Sequence, residues 1–178
     1  MAVHFGQPGF AYLAPSAAGN TWYPNSFLAP LASNEPKLSS ALAAIGDLLG
    51  QLEAAGIPPA RVMLMGFSQG ACLALEFAAR NARRYGGVAA LSGGLIGPEV
   101  APPVGAGSLA GTPIFLGCSD VDPHIPLARV QVSASVMQEL GGDVTARIYP
   151  GLGHVINQDE IDAVNAMLAA LLNSAQPR

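Results

Sequence analysis

The chain has 178 residues, of which 51% are hydrophobic and 11% charged, and its formal net charge at pH 7 is −4. This length predicts a single domain over residues 1–178, and so much apolar sequence excludes intrinsic disorder. The acidic balance, without any run of Lys and Arg, argues against nucleic acid as a partner. Neither a basic leader nor a long apolar run is seen, so we expect a cytoplasmic protein without membrane insertion.

The chain contains two cysteines, Cys72 and Cys118. They are too few for a disulfide framework and too isolated for a zinc site, which needs clustered Cys and His ligands. We expect two buried free thiols and no metal site.

Short apolar runs alternate with longer segments that have helical spacing. Such alternation predicts an α/β fold with a mostly parallel sheet flanked by helices. Five strands are expected, at residues 10–14, 61–67, 87–91, 113–118 and 144–149. Continuous apolar runs of this kind are typical of strands that are covered on both faces.

Four helices are expected between and after these strands. The first ends at Ala55, the second begins near Gln69, and the third ends at Gly141. The fourth follows Asn157, and the spacing of Asn157 and Glu160 predicts that this pair caps its first turn, by analogy with the capping box.

The stretch Gly66-Phe67-Ser68-Gln69-Gly70 lies where the strand 61–67 gives way to a helical segment. This context predicts a nucleophile elbow, a tight turn that pushes the hydroxyl of Ser68 into a cleft. Glycines on both sides are expected to let strand and helix approach without Cβ clashes. The backbone N–H of Gln69, at the positive end of the helix, would point toward an oxyanion.

A serine hydroxyl needs a base and an orienting carboxylate to become a nucleophile. Asp122 follows the strand 113–118 and His154 follows the strand 144–149, so both are expected at the carboxyl edge of the sheet. Asp120 is the alternative to Asp122, and acidic residues in such loops often only cap turns. The order Ser68, Asp122, His154 is the one found in α/β-hydrolases.

The other two histidines are assigned no chemistry. His4 precedes the first predicted strand, and His124 is too close in sequence to Asp122 to leave that loop and reach Ser68. We interpret both as structural or solvent-facing.

The sequence resembles the phospholipase/carboxylesterase family of small α/β-hydrolases, which includes bacterial carboxylesterases and acyl-protein thioesterases. The resemblance spans nearly the whole chain and is carried by Gly66-Phe67-Ser68-Gln69-Gly70, Leu91-Ser92-Gly93-Gly94, Asp122-Pro123-His124-Ile125-Pro126 and Gly151-Leu152-Gly153-His154. It implies an α/β-hydrolase fold and a carboxylic ester hydrolase without a cofactor, commonly a homodimer without a large lid. It also makes Asp122, rather than Asp120, the triad acid.

Two pairs of residues are candidates for the walls of a substrate pocket. Trp22 and Tyr23 lie in a Gly/Pro-flanked loop after the first predicted strand, where α/β folds bind ligands. Leu95 and Ile96 follow Leu91-Ser92-Gly93-Gly94. Core packing is the alternative role for all four. Because few charged groups lie near these motifs, we expect an uncharged ester of small to medium size as the substrate.

The family carries a further strand and a His-Gly-x-Gly oxyanion loop before the segments found here, so the fold is expected to be N-terminally shortened. We hypothesise that strands 10–14 and 61–67 pair directly, or that residues 1–5 or a second chain fill the gap, since unpaired central backbone groups are costly. A replacement oxyanion donor is expected near His4 to Gly6 or in the Trp22 loop.

The leading hypothesis is a serine carboxylesterase in which Ser68 attacks, His154 moves the proton, Asp122 orients His154 and the Gln69 amide binds the oxyanion. One alternative is an acyl thioesterase or lysophospholipase with the same chemistry. Another is a truncated, non-catalytic scaffold that binds a ligand or partner. Cysteine chemistry at Cys72 is disfavoured because that residue is expected inside a helix.

Overall fold

The alternating pattern of the sequence forms a layered α/β structure in a computed structural model that describes residue 5, residues 7–105 and residues 107–174. The regular elements of these residues, in chain order, are α1 (Lys37–Ala54), β1 (Met63–Phe67), α2 (Gln69–Arg80), β2 (Gly87–Leu91), β3 (Pro113–Ser119), α3 (Leu127–Glu139), β4 (Asp143–Tyr149) and α4 (Gln158–Ser174). Short 3₁₀ turns lie at Ala18–Asn20, Leu31–Asn34 and Pro59–Arg61.

The four strands form one sheet in the order β1-β2-β3-β4, and each neighbouring pair is parallel. Helix α2 connects β1 to β2 and α3 connects β3 to β4, as parallel neighbours require. The expected α/β fold with a parallel sheet is therefore confirmed. Because the carboxyl ends of parallel strands share one edge, the loops that follow β1, β3 and β4 are brought together there.

The core has two layers, one on each face of the sheet. Val88 and Ala90 of β2 face the layer formed with α1, α2 and α3, whereas Ala89 and Leu91 face the layer formed with α4. This alternation follows from the two-residue period of a strand. Strand β2 is buried throughout, in agreement with its continuous apolar sequence.

The prediction of a strand at residues 10–14 is wrong. These residues are irregular, with Tyr12 39% and Leu13 54% exposed. Among the described residues β1 pairs only with β2, so the hypothesis that strands 10–14 and 61–67 pair directly is also wrong. An apolar run without a neighbouring strand leaves its N–H and C=O groups to water, and apolar composition alone does not make it a strand.

The alternative that residues 1–5 fill the gap concerns residues that are, except for Phe5, outside the described part of the chain. Phe5 itself is buried in the core layer of α4, where Leu91, Phe115 and Val164 also lie.

The helix predictions are confirmed. Helix α1 ends one residue before Ala55, α2 begins at Gln69, and α3 ends just before Gly141. At the start of α4 the N–H of Asn157 donates to the Glu160 carboxylate and the N–H of Glu160 donates to Oδ1 of Asn157, both at 2.9 Å. These reciprocal bonds form the expected capping pair. In the part of the chain described, no helix is long and apolar enough to cross a membrane.

Candidate active site

Ser68 lies between β1 and α2 in a strained backbone conformation, with φ 55° and ψ −121°. A Cβ added at Gly66 would lie 2.2 Å from the carbonyl carbon of Gly70, so the turn needs a glycine at residue 66. At Gly70 an added Cβ meets nothing within 4 Å, so the prediction that this glycine avoids a Cβ clash is wrong. The role of Gly93 was not predicted from the sequence. A Cβ added at Gly93 would lie 2.4 Å from the Cβ of Ala71, so this glycine lets the loop after β2 approach α2.

The structure brings Ser68, His154 and Asp122 into one hydrogen-bonded line. The Oγ of Ser68 is 3.0 Å from Nε2 of His154, and Nδ1 of His154 is 2.7 Å from Oδ2 of Asp122. The side chain of Asp122 is fully buried, whereas that of His154 is 19% exposed. Both ring nitrogens of His154 are therefore engaged, one by the hydroxyl and the other by the carboxylate.

Asp122 is held as a carboxylate by several donors. Burial by itself raises the pKa of Asp122, but hydrogen bonds from His154 and from the backbone N–H groups of His124 and Ile125 bring that pKa below its ordinary value. A hydrogen bond to the charged form favours that form. The carboxylate can thus stabilise a positive charge on His154.

A further contact of Asp122 was not foreseen from the sequence. The thiol of Cys118, at the end of β3, lies 3.8 Å from Oδ2 of Asp122. Burial and the neighbouring carboxylate raise the pKa of Cys118 to about 12, so the thiol stays protonated and donates. Cys118 and Cys72 are both free and buried, as expected.

Asp120, the alternative triad acid, has a different partner. Its Oδ1 accepts the N–H of Gly151 at 2.8 Å, and the neighbouring Oγ of Ser119 accepts the N–H of Gly153 at 3.0 Å. These bonds join the end of β3 and the loop after it to the loop after β4, three residues and one residue before His154. Asp120 therefore supports the histidine loop, while Asp122 contacts the histidine ring.

The ring of His154 is also packed between aromatic neighbours. Its centroid is 4.7 Å from that of Phe67, with the planes tilted by 36°, and 4.8 Å from that of His124, with the planes at 70°. His124 is exposed, as expected, but its contact with His154 was missed. The sequence did contain a signal for this contact, because His124 follows Asp122 by two residues and the side chains of Asp122 and His124 therefore lie on one loop.

The side chain of Gln69 binds the Trp22 loop. Its Oε1 accepts the N–H of Trp22 at 3.1 Å, and its Nε2 donates to the carbonyl of Tyr23 at 3.1 Å. The N–H of Trp22 is consequently occupied and is not a free oxyanion donor. His4 and Gly6, the other expected source of a donor, lie outside the described residues. The backbone N–H of Gln69 lies in the first turn of α2, where helix N–H groups lack helical acceptors.

The candidate pocket residues differ in burial. Trp22 is half-buried, whereas Tyr23 is 1% exposed in the core. Leu95 and Ile96 are also buried, and they border a cavity of about 380 Å³ together with Glu76. Glu76 follows Ser68 by eight residues of α2, or about 12 Å of helix, so this cavity is remote from Ser68. These placements favour core packing for Tyr23, Leu95 and Ile96.

The loop that carries Leu95 and Ile96 is held by the buried Glu76 and the half-buried Arg129. Glu76 accepts the N–H of Ile96 at 2.9 Å, and the Arg129 guanidinium donates to the carbonyls of Leu95 and Gly97 at 2.8 and 2.6 Å. Within the described residues, no group of three or more His, Cys, Asp or Glu side chains is arranged to hold a metal ion.

A comparison with known protein families identifies the family of this chain. A family model described as phospholipase/carboxylesterase matches residues 11–172. The chain belongs to the phospholipase/carboxylesterase family.

Named relatives of this family include thioesterases and carboxylesterases. Acyl-protein thioesterase 1 of Gibberella zeae is 33% identical over 126 residues, which cover 68% of this chain and 53% of that protein. A probable carboxylesterase of Oryza sativa subsp. japonica is 28% identical over 154 residues, with coverage of 84% and 58%. The chain thus spans about half the length of the curated relatives that it matches. Their names support hydrolase chemistry.

Solved structures agree on the fold. A phospholipase/carboxylesterase from Dyadobacter fermentans is 46% identical, with a TM-score of 0.83, and the match covers 86% of this chain and 73% of that one. Arabidopsis thaliana SOBER1 has a TM-score of 0.77 at 23% identity, with coverage of 96% and 89%, and shows the fold alone.

Proposed function

We propose that the chain is a serine carboxylesterase. The observation that carries this proposal is the line from Ser68 Oγ through His154 to Asp122, with contacts of 3.0 and 2.7 Å. A hydroxyl, an imidazole and a carboxylate in this order are the groups that activate a serine for acyl transfer. The strained elbow at Ser68 adds support, since strained backbone clusters at functional sites.

In the proposed reaction, Ser68 attacks the ester carbonyl while His154 takes its proton. His154 then gives the proton to the leaving alcohol, and an acyl-enzyme forms. A water molecule, deprotonated by His154, hydrolyses that intermediate and restores Ser68. Asp122 keeps the histidine in the required tautomer and stabilises the transient imidazolium.

The Gln69 N–H is the proposed oxyanion donor, because it follows the nucleophile at the positive end of α2. One missing donor typically costs about 2.7 to 4 kcal/mol, or roughly a hundred- to a thousandfold in turnover. Since the Trp22 N–H is bound to Gln69, we expect slow turnover unless another donor is supplied.

We propose uncharged esters of small to medium size as the substrates. The loops after β3 and β4, residues 120–126 and 150–157, carry two carboxylates and no Lys or Arg. An anionic acyl or alcohol group would therefore meet like charge beside the nucleophile. Half-buried Trp22 is the remaining aromatic candidate for a pocket wall.

The test is hydrolysis of p-nitrophenyl butyrate by the wild type and by Ser68→Ala. We expect turnover by the wild type and only the background rate in the variant. Equal rates in both proteins would end the proposal. Comparison with a butyryl thioester and with longer acyl chains then separates an esterase from a thioesterase or lysophospholipase of the same mechanism.

A non-catalytic scaffold is the second candidate, and the occupied Trp22 N–H is the observation that favours it. A fluorophosphonate probe separates the two, because it reports an activated serine without requiring complete turnover. Labelling of the wild type, absent in Ser68→Ala, supports the esterase. Absence of labelling in folded wild type supports the scaffold.

A further inference from the structure

The strand β4 forms one edge of the sheet and is regular over its whole length. All seven of its residues, Asp143 to Tyr149, pair with β3 in consecutive register, and β3 is its one strand neighbour among the described residues. The strand contains no proline, and its consecutive register contains no β-bulge. Prolines and bulges are two of the devices that keep a sheet edge from pairing with another strand. Because β4 has neither, its outer edge is suited to a further strand.

Alternate backbone groups of β4 face this outer edge. The N–H of Asp143 donates to the carbonyl of Thr112, the residue before β3, at 2.9 Å. Because the N–H and C=O groups of successive residues alternate between the two sides of a strand, those of Thr145 also face β3, whereas those of Val144 and Ala146 point outward. Thr145 and Ala146 are small and exposed, so their side chains do not prevent the approach of another backbone.

Two opposite charges lie on one face of β4, four residues apart. Asp143 and Arg147 are both exposed, and Thr145 lies between them on the same face. Nη1 of Arg147 donates to Asp159 of α4 at 2.8 Å, but a guanidinium has several N–H donors, so Arg147 is able to bind a second carboxylate. The carboxylate of Asp143 makes no hydrogen bond or ion pair in the part of the chain that the structure describes. This face therefore carries one acceptor and one donor that a neighbouring strand can meet.

We propose that the outer edge of β4 is the interface of a homodimer, in which β4 pairs antiparallel with β4 of a second copy about a two-fold axis at Thr145. In this register Arg147 of each copy lies directly opposite Asp143 of the other, and Val144 lies opposite Ala146. The two-fold axis repeats each contact. Each pair of Val144 with Ala146 exchanges two main-chain hydrogen bonds, which join the two four-stranded sheets into one continuous sheet.

Charge selects this register and this partner. An axis at Ala146 places Arg147 opposite Thr145, and an axis at Arg147 places two guanidinium groups opposite each other. Of the registers centred on residues 144 to 147, the one at Thr145 alone places opposite charges across from each other. Asp143 and Arg147 then form a non-hydrogen-bonded pair, the kind whose side chains lie closer together. Opposite charges across a strand pair are stabilising, so the edge complements a second copy of itself.

The first test measures the mass of the protein in solution by sedimentation equilibrium, at concentrations up to about 1 mM. We expect a dimer of the wild type. Asp143→Arg should raise its Kd at least about tenfold, because two attractions become two repulsions. Asp47→Arg is the matched control, since it makes the same charge change on the exposed face of α1 and should change the Kd less than about twofold. A wild type that stays monomeric, or equal Kd values for the two variants, would overturn the proposal.

The second test exchanges the charges between two chains. Arg147→Asp alone should weaken the dimer as Asp143→Arg does, because it places carboxylates opposite each other. An equimolar mixture of the two variants should form a heterodimer, in which both charge pairs again consist of one Arg and one Asp. Sedimentation of the mixture and of each variant alone measures this difference. A mixture that associates no more strongly than either variant would overturn the proposed pairing.

Hydrogen exchange locates the interface in the wild type without any substitution. The outward N–H groups of Val144 and Ala146 should exchange more slowly as the protein concentration rises, whereas the N–H of Thr145, which faces β3, should change little. Protection of Ala146 that does not depend on concentration would mean that the chain covers its own edge, and would overturn the proposal. None of these measurements requires an active Ser68, so the inference and the proposed function are tested separately.

Discussion

The two halves of the candidate site are built by different physical means. The nucleophile half, Ser68 at the end of β1, depends on backbone geometry, with a strained φ of 55° and a Cβ-free Gly66 against Gly70. The acid–base half, in the loops after β3 and β4, depends on hydrogen bonds that Ser119, Asp120 and Asp122 accept.

The halves also differ in how the sheet supports them. Asp122 follows β3, which lies between β2 and β4, whereas β1 before Ser68 and β4 before His154 each have one strand neighbour among the described residues. A strained, closely packed turn is destabilised when a larger side chain is introduced, whereas a hydrogen-bond network is destabilised when a donor or acceptor is removed. The two halves should therefore respond to different substitutions, and each response identifies the support that is lost.

The largest effect is expected in the acid–base half. Asp122→Asn should lower kcat about 10⁴-fold, because an amide can no longer hold the required tautomer of His154. Asp120→Asn is the matched control, since it alters a bond to the Gly151 backbone and not to the ring. We expect less than about a tenfold loss there. Steady-state kinetics on p-nitrophenyl butyrate measure both, and similar losses would contradict the distinct roles.

In the nucleophile half, adding one methyl group should have different effects at Gly66 and at Gly70. Gly66→Ala places a Cβ 2.2 Å from the Gly70 backbone, which no side-chain rotation relieves. We expect a loss of about 3 kcal/mol in the free energy of unfolding.

Gly70→Ala is the matched variant, because its Cβ meets nothing within 4 Å. It should leave stability unchanged or raise it by up to about 1 kcal/mol, since alanine is the better helix former. Urea unfolding measures both variants. Equal losses would show that strand-helix contact is not what requires the glycine at residue 66.

A smaller effect is expected at the start of α4, behind the histidine loop. Glu160 is fully buried, and its Oε1 has no hydrogen-bond partner in the described residues. Burial raises the pKa of Glu160 despite the bond from the Asn157 N–H. The folded state therefore binds this proton more tightly than the unfolded state, and its stability falls as pH rises through the raised pKa.

Glu160→Gln removes this titration while keeping a residue type that the capping box accepts. Measured by urea unfolding from pH 4 to 8, the stability of the variant relative to the wild type should increase with pH. Because the stability of the variant is compared with that of the wild type at each pH, the contributions of the other titrating groups cancel. A constant difference across this range would mean that the carboxyl of Glu160 has the same pKa in both states.

The smallest effect concerns local opening of β1. The N–H of Ser68 donates to Leu91 of β2, and the two-residue period then directs Leu64 and Gly66 toward β2 as well. The amides of Met65 and Phe67 point to the other edge. Hydrogen exchange should be slow at Leu64 and Gly66 and faster at Met65 and Phe67. Slow exchange at all four would mean that another segment or chain pairs with this edge.

Much of the fold could be predicted because it depends on local patterns. β2 and α2 began where apolar runs and the Gly66 to Gly70 motif indicated, and Asn157 and Glu160 formed their capping pair. The strand at 10–14 failed because a strand also needs a neighbour, which its own sequence cannot supply. The single domain, the homodimer and the cytoplasmic location stay predictions.

The amino-acid order by itself determined which residues follow which strand, and hence that Ser68, Asp122 and His154 lie at one edge of a parallel sheet. Only the tertiary structure decided which carboxylate meets the ring, that His124 packs against His154, and that the Trp22 N–H is taken by Gln69. The reason is that the sequence locates each loop along the chain only to within a few residues. Contacts of about 3 Å depend on how loops that are far apart in the chain pack against each other.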